Sequence, residues 1–568
     1  MQKLLRFLKP YRLELTLGPF FKLMEAVFEL IVPVVMARII DNGIGRGDAG
    51  YIGRMCALIV VLGICGLGFA LTCQYFAARC AFRYGRDLRN AVFHHIGTLS
   101  CTEIDSLGTS TLINRITNDV TASQQGVNMF IRLASRAPFL VLGAIVMTLL
   151  LDWQLSLIFL AIAPVLGFIL WFVTSRTVPM YGRNQKKLDA IARRTGENLD
   201  GMRVIRAFSR QKQEAQHFAE ECDDLERSML SAGRIASLLN PMTFLVMNLG
   251  VVAVLWCGGI HVDTGRLSQG DLTAFANYMN QILLAGVQLA NLIQILNKAQ
   301  ASSLRVAQVL ETPSSMQDGS EMPDVHAQEA IAFEHVSFAY AGSGDAALRD
   351  ISFTLQRGQT LGIIGGTGSG KSTLAGLIGR SYDATEGTVR VFGRDVKCYR
   401  EKALHRVIGT VPQKAVLFTG TIAENLRWAD PAVTQSDMQK AMRIAQAGFV
   451  IDLQYGLDTH LVQGGRNLSG GQKQRLTIAR ALAGKPAILI LDDSMSALDY
   501  ATDAALREAL AEECAGMTKV IISQRATSLK SADLILVLED GACVGQGRHD
   551  DLLETCEVYR EIYESQMQ

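Results

Sequence analysis

Hydrophobic and polar positions divide the chain into two regimes. Up to about Ala301 it carries long apolar stretches, and from about Thr312 it alternates as a water-facing α/β sequence does. Six stretches near 16–40, 55–78, 133–151, 153–174, 241–262 and 272–296 approach the roughly 20 apolar residues that a helical bilayer span requires. The third and fourth are separated only by Asp152 and Trp153, a tight hairpin at a membrane surface. Between the regimes lies TPSSMQDGSEMPD (312–324), a polar Pro/Ser/Gly-rich linker. The pattern therefore predicts an all-α six-helix transmembrane domain at 1–311, a linker at 312–328 and an α/β domain at 329–568.

Charge orients the first half. The long polar segments 79–131 and 175–240 hold most of its basic residues, among them Arg83, Arg86, Arg89, Arg115, Arg183, Lys186, Lys187, Arg203 and Arg206. The opposite-side loops hold little more than Arg46, Arg54 and Arg266. The positive-inside rule puts the long segments in the cytoplasm, and an even number of spans puts both termini there too. MQKLLRFLKPYR at the start is basic and amphipathic without a cleavage signal, so it is expected to lie on the inner leaflet. The sequence opens directly on membrane-associated residues, and no peptidase domain is expected before them.

Composition agrees with that division. Charged residues make up only 19% of the 568 residues and mean hydropathy is +0.20, whereas soluble domains are about one-quarter charged. A net charge of +1 gives no reason to expect a nucleic-acid partner. The eleven cysteines are scattered and form no C-x-x-C pair, so they read as free thiols.

The candidate chemistry lies in the second half. LGIIGGTGSGKSTL (361–374) reads as an apolar strand, a glycine loop and a helix. Gly365, Gly366, Thr367, Gly368, Ser369, Gly370, Lys371 and Ser372, followed by Thr373, fit the phosphate-binding pattern G-x-x-x-x-G-K-[ST]. Glycines let the backbone curl so that N–H groups face phosphates, and the following helix adds its positive dipole end. Lys371 can neutralise the β/γ-phosphates and the Ser372 hydroxyl can ligate Mg2+. AILILDDS (487–494) is a buried parallel-type strand ending in acids, with Asp492 suited to hold Mg2+. A second cradle, Leu468, Ser469, Gly470, Gly471 and Gln472 in NLSGGQKQR, precedes another helical pattern. One nucleotide does not need two cradles, so the second is expected to grip the γ-phosphate of ATP held by a partner domain.

In this order the motifs resemble an ABC transporter half-subunit of the exporter type, and the resemblance covers essentially the whole chain. It implies ATP and Mg2+ as ligands, a second half-transporter chain as partner, and a place in the inner membrane. Tyr340, in EHVSFAY, resembles the residue that stacks on adenine. Gln413, in VPQKAVLF, resembles the glutamine that contacts Mg2+ and the coupling helices, and Ser496 and Asp499 of SALD resemble the loop that communicates across the dimer. Segments near 106–120 and 198–218 resemble the coupling regions of the membrane domain.

Two positions depart from the family. Asp493 stands where a glutamate serves as general base, and Gln524 where a histidine follows the next strand. The acid is one methylene, about 1.5 Å, shorter, and about 1 Å of misplacement can cost on the order of 10²-fold in rate. Glutamine supplies no imidazole for proton handling. A site that binds ATP and hydrolyses it slowly is expected, as in the degenerate chain of bacterial heterodimeric multidrug exporters. The alternatives are a homodimeric lipid or peptide exporter and an ATP-gated regulatory membrane protein.

For cargo the sequence offers FKLMEAVFEL (21–30), where Glu25 and Glu29 share a face of a membrane helix. Buried charge in lipid is expensive. The acids either line a cavity that attracts cationic amphiphiles or join a structural network with Lys22. Drug-like or amphipathic small molecules are the expected substrates.

Overall fold

The computed structural model describes Gln2–Met567, and the chain forms two compact units. One runs through Ile96 and from Ser110 to Glu311; the other joins Gly97–Thr109 to the residues from Thr312 onward. The short Gly97–Thr109 segment, expected within the 1–311 domain, is thus grouped with the second unit.

The first 311 residues form helices α1 (Arg12–Arg38), α2 (Ala49–Ile96), α3 (Cys101–Leu107), α4 (Thr109–Asn114), α5 (Val120–Leu133), α6 (Arg136–Leu151), α7 (Trp153–Asp200), α8 (Met202–Ala207), α9 (Gln211–Ser237), α10 (Leu239–Asp263) and α11 (Gln269–Glu311). Five helical stretches are long and apolar enough to cross a bilayer among the described residues: Ala49–Ile96, Thr109–Leu151, Trp153–Asp200, Gln211–Asp263 and Gln269–Glu311. Helix α1, at 27 residues, has the length, but Lys22, Glu25 and Glu29 interrupt its apolar run. With 48 residues, α2 and α7 are each about 72 Å long at 1.5 Å per residue. That is more than twice the roughly 30 Å hydrocarbon thickness, so both continue well past a bilayer.

The membrane core joins Ala26 and Leu30 of α1, Leu140 and Ala144 of α6, Phe159 of α7, Val254 of α10, and Phe275 and Tyr278 of α11. Close approach relies on small residues. A Cβ on Gly250 of α10 would collide with Ile162 and Met279. Val60, Ile64, Leu67 and Leu71 on α2 are exposed, an apolar face that lipid solvates and water would not. The turn after α6 is fixed by Asp152, whose Oδ1 accepts from the backbone N–H groups of Gln154 and Leu155 at 2.8 and 3.1 Å. Its Oδ2 lies 2.8 Å from His261 Nδ1.

The short helices depart in part from the expected coupling segments. Helix α3 begins at Cys101, ahead of the predicted 106–120, because Ser100 and Glu103 form a capping box. The predicted segment instead covers the end of α3, then α4 and the π-helical turn Arg115–Asp119. Within 198–218 the short helix is α8, entered through Gly201.

The second unit is an α/β structure with two main sheets and a two-stranded ribbon of Gly420–Thr421 against His460–Leu461. Its strands are β1 (Glu329–Phe338), β2 (Leu348–Gln356), β3 (Thr360–Gly365), β4 (Glu386–Val391), β5 (Arg394–Asp395), β6 (Ile408–Val411), β7 (Gly420–Thr421), β8 (His460–Leu461), β9 (Ile488–Asp492), β10 (Thr518–Ile522), β11 (Leu534–Glu539) and β12 (Ala542–Gly547). The six-stranded sheet has the order β12-β11-β3-β10-β9-β6, parallel except at the β12 edge. Continuous apolar runs such as ILILD in β9 and TKVII in β10 suit strands covered on both faces. A four-stranded antiparallel sheet, β2-β1-β4-β5, lies alongside. Functional loops are expected beyond the carboxyl ends of the parallel strands, where β3, β10 and β9 are neighbours.

The expected linker is fastened along part of its length. Gly319 N–H donates to Tyr399 O at 3.0 Å, Ser320 N–H to Cys398 O at 3.0 Å, and Arg380 Nη2 to Gln317 O at 2.8 Å.

Candidate functional site

Beyond the ends of β3, β9 and β10 lies a cavity of about 300 Å³ lined by Tyr340, Lys371, Ser372, Gln413, Asp493 and Gln524, among others. Strand β3 delivers the glycine loop and helix α12 (Lys371–Ile378) leaves it. Gly368 and Gly370 have φ of +85° and +93°, values that favour glycine, and a Cβ on Gly370 would sit 2.6 Å from Ala347 O. The loop backbone therefore stays open toward the cavity. Lys371 is 9% exposed, and its ammonium donates to Gly365 O at 3.0 Å, to Gly366 O and to Ser369 Oγ at 3.3 Å. Burial lowers its pKa, although Asp493 and Asp492 oppose that shift.

Ser372 Oγ donates to Asp492 Oδ1 at 3.0 Å. These are hard oxygen donors of the kind that hold Mg2+ together with substrate phosphates, so the residues fit that ion. Asp493 is the next residue and sits in the left-handed region at φ +43°. Its N–H donates to Ile522 O at 3.0 Å, tying it to the end of β10. Its Oδ2 accepts from Gln524 Nε2 at 3.3 Å and faces Gln413 Nε2 at 3.5 Å. Burial raises the pKa of both acids, and the charge of Asp493 raises that of Asp492 further.

Tyr340, just beyond β1, is 37% exposed at the cavity edge, and its hydroxyl lies 2.9 Å from Thr373 Oγ1. Ser496 Oγ donates to the main-chain carbonyl of Asp493 at 2.8 Å, so the SALD segment is tied to the backbone of that residue. Asp499 caps the helix Tyr500–Glu513 by accepting from Thr502 N–H at 2.9 Å. Ser469 caps the helix Gly470–Ala483 in a capping box with Gln472. Leu468, Ser469, Gly470, Gly471 and Gln472 do not line the cavity that contains Lys371.

Residues 15–285 match the ABC transporter transmembrane region family, and residues 348–496 match the ABC transporter family. An uncharacterised ABC transporter ATP-binding protein of Mycobacterium tuberculosis is 38% identical over 566 residues, covering 98% of this chain and 97% of the relative. This chain belongs to the ABC transporter family.

The transporter also resembles two proteins of Bacillus subtilis. The ABC transporter ATP-binding protein YfiB is 36% identical, covering 100% of this chain and 98% of its own. YheI, described as a "Probable multidrug resistance ABC transporter ATP-binding/permease protein", is 32% identical, covering 100% and 97%. In fold it is similar to a bacterial Atm1-family ABC exporter solved with ATP bound, with a TM-score of 0.82, 23% identity and 98% of each chain covered. It is therefore a multi-pass membrane protein with a helical membrane domain followed by an α/β ATP-binding domain.

In the transporter's membrane domain Glu25 and Glu29 of α1 both have cationic partners. Lys22 Nζ donates to Glu25 at 2.8 and 2.6 Å, and Arg136 Nη2 donates to Glu29 at 2.8 Å. Both acids are therefore ion-paired, the contacts that the network reading expects. Elsewhere in that domain a groove of about 560 Å³ is lined by Leu166, Trp171, Thr174, Ser175, Ile293 and Asn297, with no charged residue along it among the described residues.

Three contributors escape sequence reasoning. Tyr382 packs beside Tyr340, with ring centroids 5.4 Å apart. Arg380, 3% exposed, anchors the linker. Asp119, also 3% exposed, is clamped by Arg115 and Arg305. The S-x-x-E pattern at Ser100 could have announced α3, and Arg115 is one helical turn from Asp119; the other contacts are distant in the chain.

Proposed function

We propose that this chain is one half of a heterodimeric, ATP-driven exporter of drug-like or amphipathic compounds in the inner membrane. The ATP-binding domain and both termini are cytoplasmic, and the chain's own ATP site binds nucleotide firmly but hydrolyses it slowly. The carrying observation is Asp493: a shortened acid at the base position, its Oδ2 facing the amides of both Gln413 and Gln524. A general base must reach the water it activates. Here the acid is shorter and one of its oxygens is engaged, and the neighbouring amide cannot carry a proton as imidazole does.

The binding elements are intact by contrast. The loop N–H groups and Lys371 receive the phosphates, Tyr340 supports adenine, and Ser372, Gln413 and Asp492 would hold Mg2+. Mg2+ would supply positive charge there that offsets the charge of the phosphates. Ser469, Gly470 and Gly471 at the N-terminus of their helix are suited to complete a partner's site. ATP captured between two such domains closes them and turns the membrane helices outward. Hydrolysis, mostly at the partner's competent site, resets the pair. The uncharged groove in the membrane domain and the multidrug description of YheI support amphipathic cargo.

The test is reconstitution in lipid vesicles. The chain alone is expected to bind ATP with little turnover and no transport, and to gain both with a second half-transporter bearing Glu and His at the positions of Asp493 and Gln524. If the chain alone splits ATP briskly and moves cargo, the proposal fails in favour of a homodimer.

A further inference from the structure

An aromatic and hydrogen-bonded chain runs from the adenine platform to helix α3 within the second unit. The Tyr382 ring stands edge-on to Tyr340, at 5.4 Å between centroids and 85° between planes, and also packs on Phe338 at 5.5 Å. Its hydroxyl donates to Asp105 Oδ2 of α3 at 2.7 Å. Burial and the Asp105 carboxylate push the Tyr382 phenol well above its ordinary pKa, so it stays protonated and remains a donor.

Helix α3 has a second anchor of a different kind. Ser315 of the linker donates its N–H to Glu103 Oε1 at 3.2 Å, and its hydroxyl lies 3.1 Å from Ser100 Oγ. That anchor contains no group from the nucleotide cavity. The Tyr382 anchor does touch the cavity, because one of the rings fixing its position is Tyr340. Seven residues form α3, too few for an isolated helix to persist, so its order depends on these tertiary contacts.

We propose that Tyr382 is a positioning residue that converts adenine stacking on Tyr340 into ordering of α3, the segment joining two membrane helices in the chain. A base stacked on one face of Tyr340 restricts that ring. The restricted ring holds Tyr382 against its edge, and the held hydroxyl keeps Asp105, and with it α3, in place. This rests on Tyr340 being the adenine platform, as proposed above.

The experiment is hydrogen–deuterium exchange on the full chain in lipid nanodiscs, read at the amides of residues 97–109 with and without ATP·Mg2+. ATP affinity is measured in parallel by displacement of a fluorescent ATP analogue. For the wild type, ATP is expected to slow exchange in α3, whereas inorganic triphosphate, which has no base, is not. Tyr382→Phe keeps the ring and loses the hydroxyl, so it is expected to retain ATP affinity and lose the ATP-dependent slowing. Asp105→Ala is expected to behave likewise.

Full retention of the slowing in Tyr382→Phe overturns the relay, as does equal slowing by inorganic triphosphate. A loss of ATP affinity in Tyr382→Phe overturns it as well, since Tyr382 would then be part of the binding site. Tyr340→Ala separates the two ideas. Unchanged ATP affinity in that variant refutes the adenine platform itself, whereas lost affinity there with retained slowing in Tyr382→Phe refutes only the relay.

Discussion

Gln524 Nε2 donates to Asp493 Oδ2 at 3.3 Å, and Gln413 Nε2 faces the same oxygen at 3.5 Å. Asp493 is therefore an acceptor between two amides. In the proposed two-chain complex, replacing it by alanine is expected to lower steady-state ATPase activity only slightly. Ser469→Ala, which alters the cradle proposed to complete a partner's site, is expected to lower it much more. The reverse substitution, Asp493→Glu combined with Gln524→His, is expected to raise turnover at this chain's own site. Because about 1 Å of misplacement can cost on the order of 10²-fold, the gain is readable in single-turnover measurements. An equal collapse of activity in Asp493→Ala would contradict the asymmetric assignment.

The acid pair sets a pH dependence. Burial raises the pKa of Asp492, and the charge of Asp493 raises it further. As pH falls, Asp492 takes up a proton sooner than an ordinary carboxylate, and Mg2+-dependent ATP binding weakens with it. Asp493→Asn removes the neighbouring charge and lowers the Asp492 pKa. Mg2+-dependent binding in that variant is expected to persist to more acidic pH than in the wild type. A pH titration of nucleotide affinity with and without Mg2+ checks the sign.

In the membrane domain, Arg305 Nε donates to the buried Asp119 at 3.0 Å and Arg115 Nη1 donates to it at 2.8 Å. Breaking a buried pair by removing one partner costs roughly 3–5 kcal/mol. Arg305 is partly solvated and Arg115 remains, so Arg305→Ala is expected to cost less, about 1–3 kcal/mol. Thermal unfolding in detergent should show a lowered transition temperature, with nucleotide affinity unchanged.

Gly319 permits the linker to lie against the second unit. A Cβ there would meet Cys398 O, and Tyr399 O at 2.6 Å. Gly319→Ala is expected to release the strap and cost about 1–3 kcal/mol. Limited proteolysis should then cut faster within 312–328 than in the wild type.

Glu29 is paired with Arg136 at 2.8 Å, so its charge is already met. Glu29→Gln is expected to leave the preference between cationic and neutral cargo unchanged while lowering thermal stability, because Arg136 loses its counter-charge. Transport of a matched pair of charged and uncharged dyes distinguishes this from a cation-selecting role.

The membrane stretches, the glycine loop and the acid-ended strand were legible because each is a local signal. An apolar run of bilayer length, a glycine spacing that frees the backbone, and a Lys-Ser pair at a helix start need no distant contact to be recognised. Asp493 and Gln524 stood out only through the resemblance to the family, as departures from its pattern after β9 and β10. Helix α3 itself was not anticipated, although Ser100 and Glu103 carried its cap.

What the amino-acid order determined by itself was the division into a membrane half and an ATP-binding half, with a list of candidate phosphate-handling groups, since both follow from short-range periodicity and spacing. Only the tertiary structure decided that Glu25 and Glu29 are neutralised, that the linker is strapped down, and that Tyr382 stands between Tyr340 and Asp105. Each is a pairing of polar or aromatic groups, and apart from Lys22 with Glu25 each joins residues far apart in the chain. Such pairings are selected by packing, which no local pattern encodes.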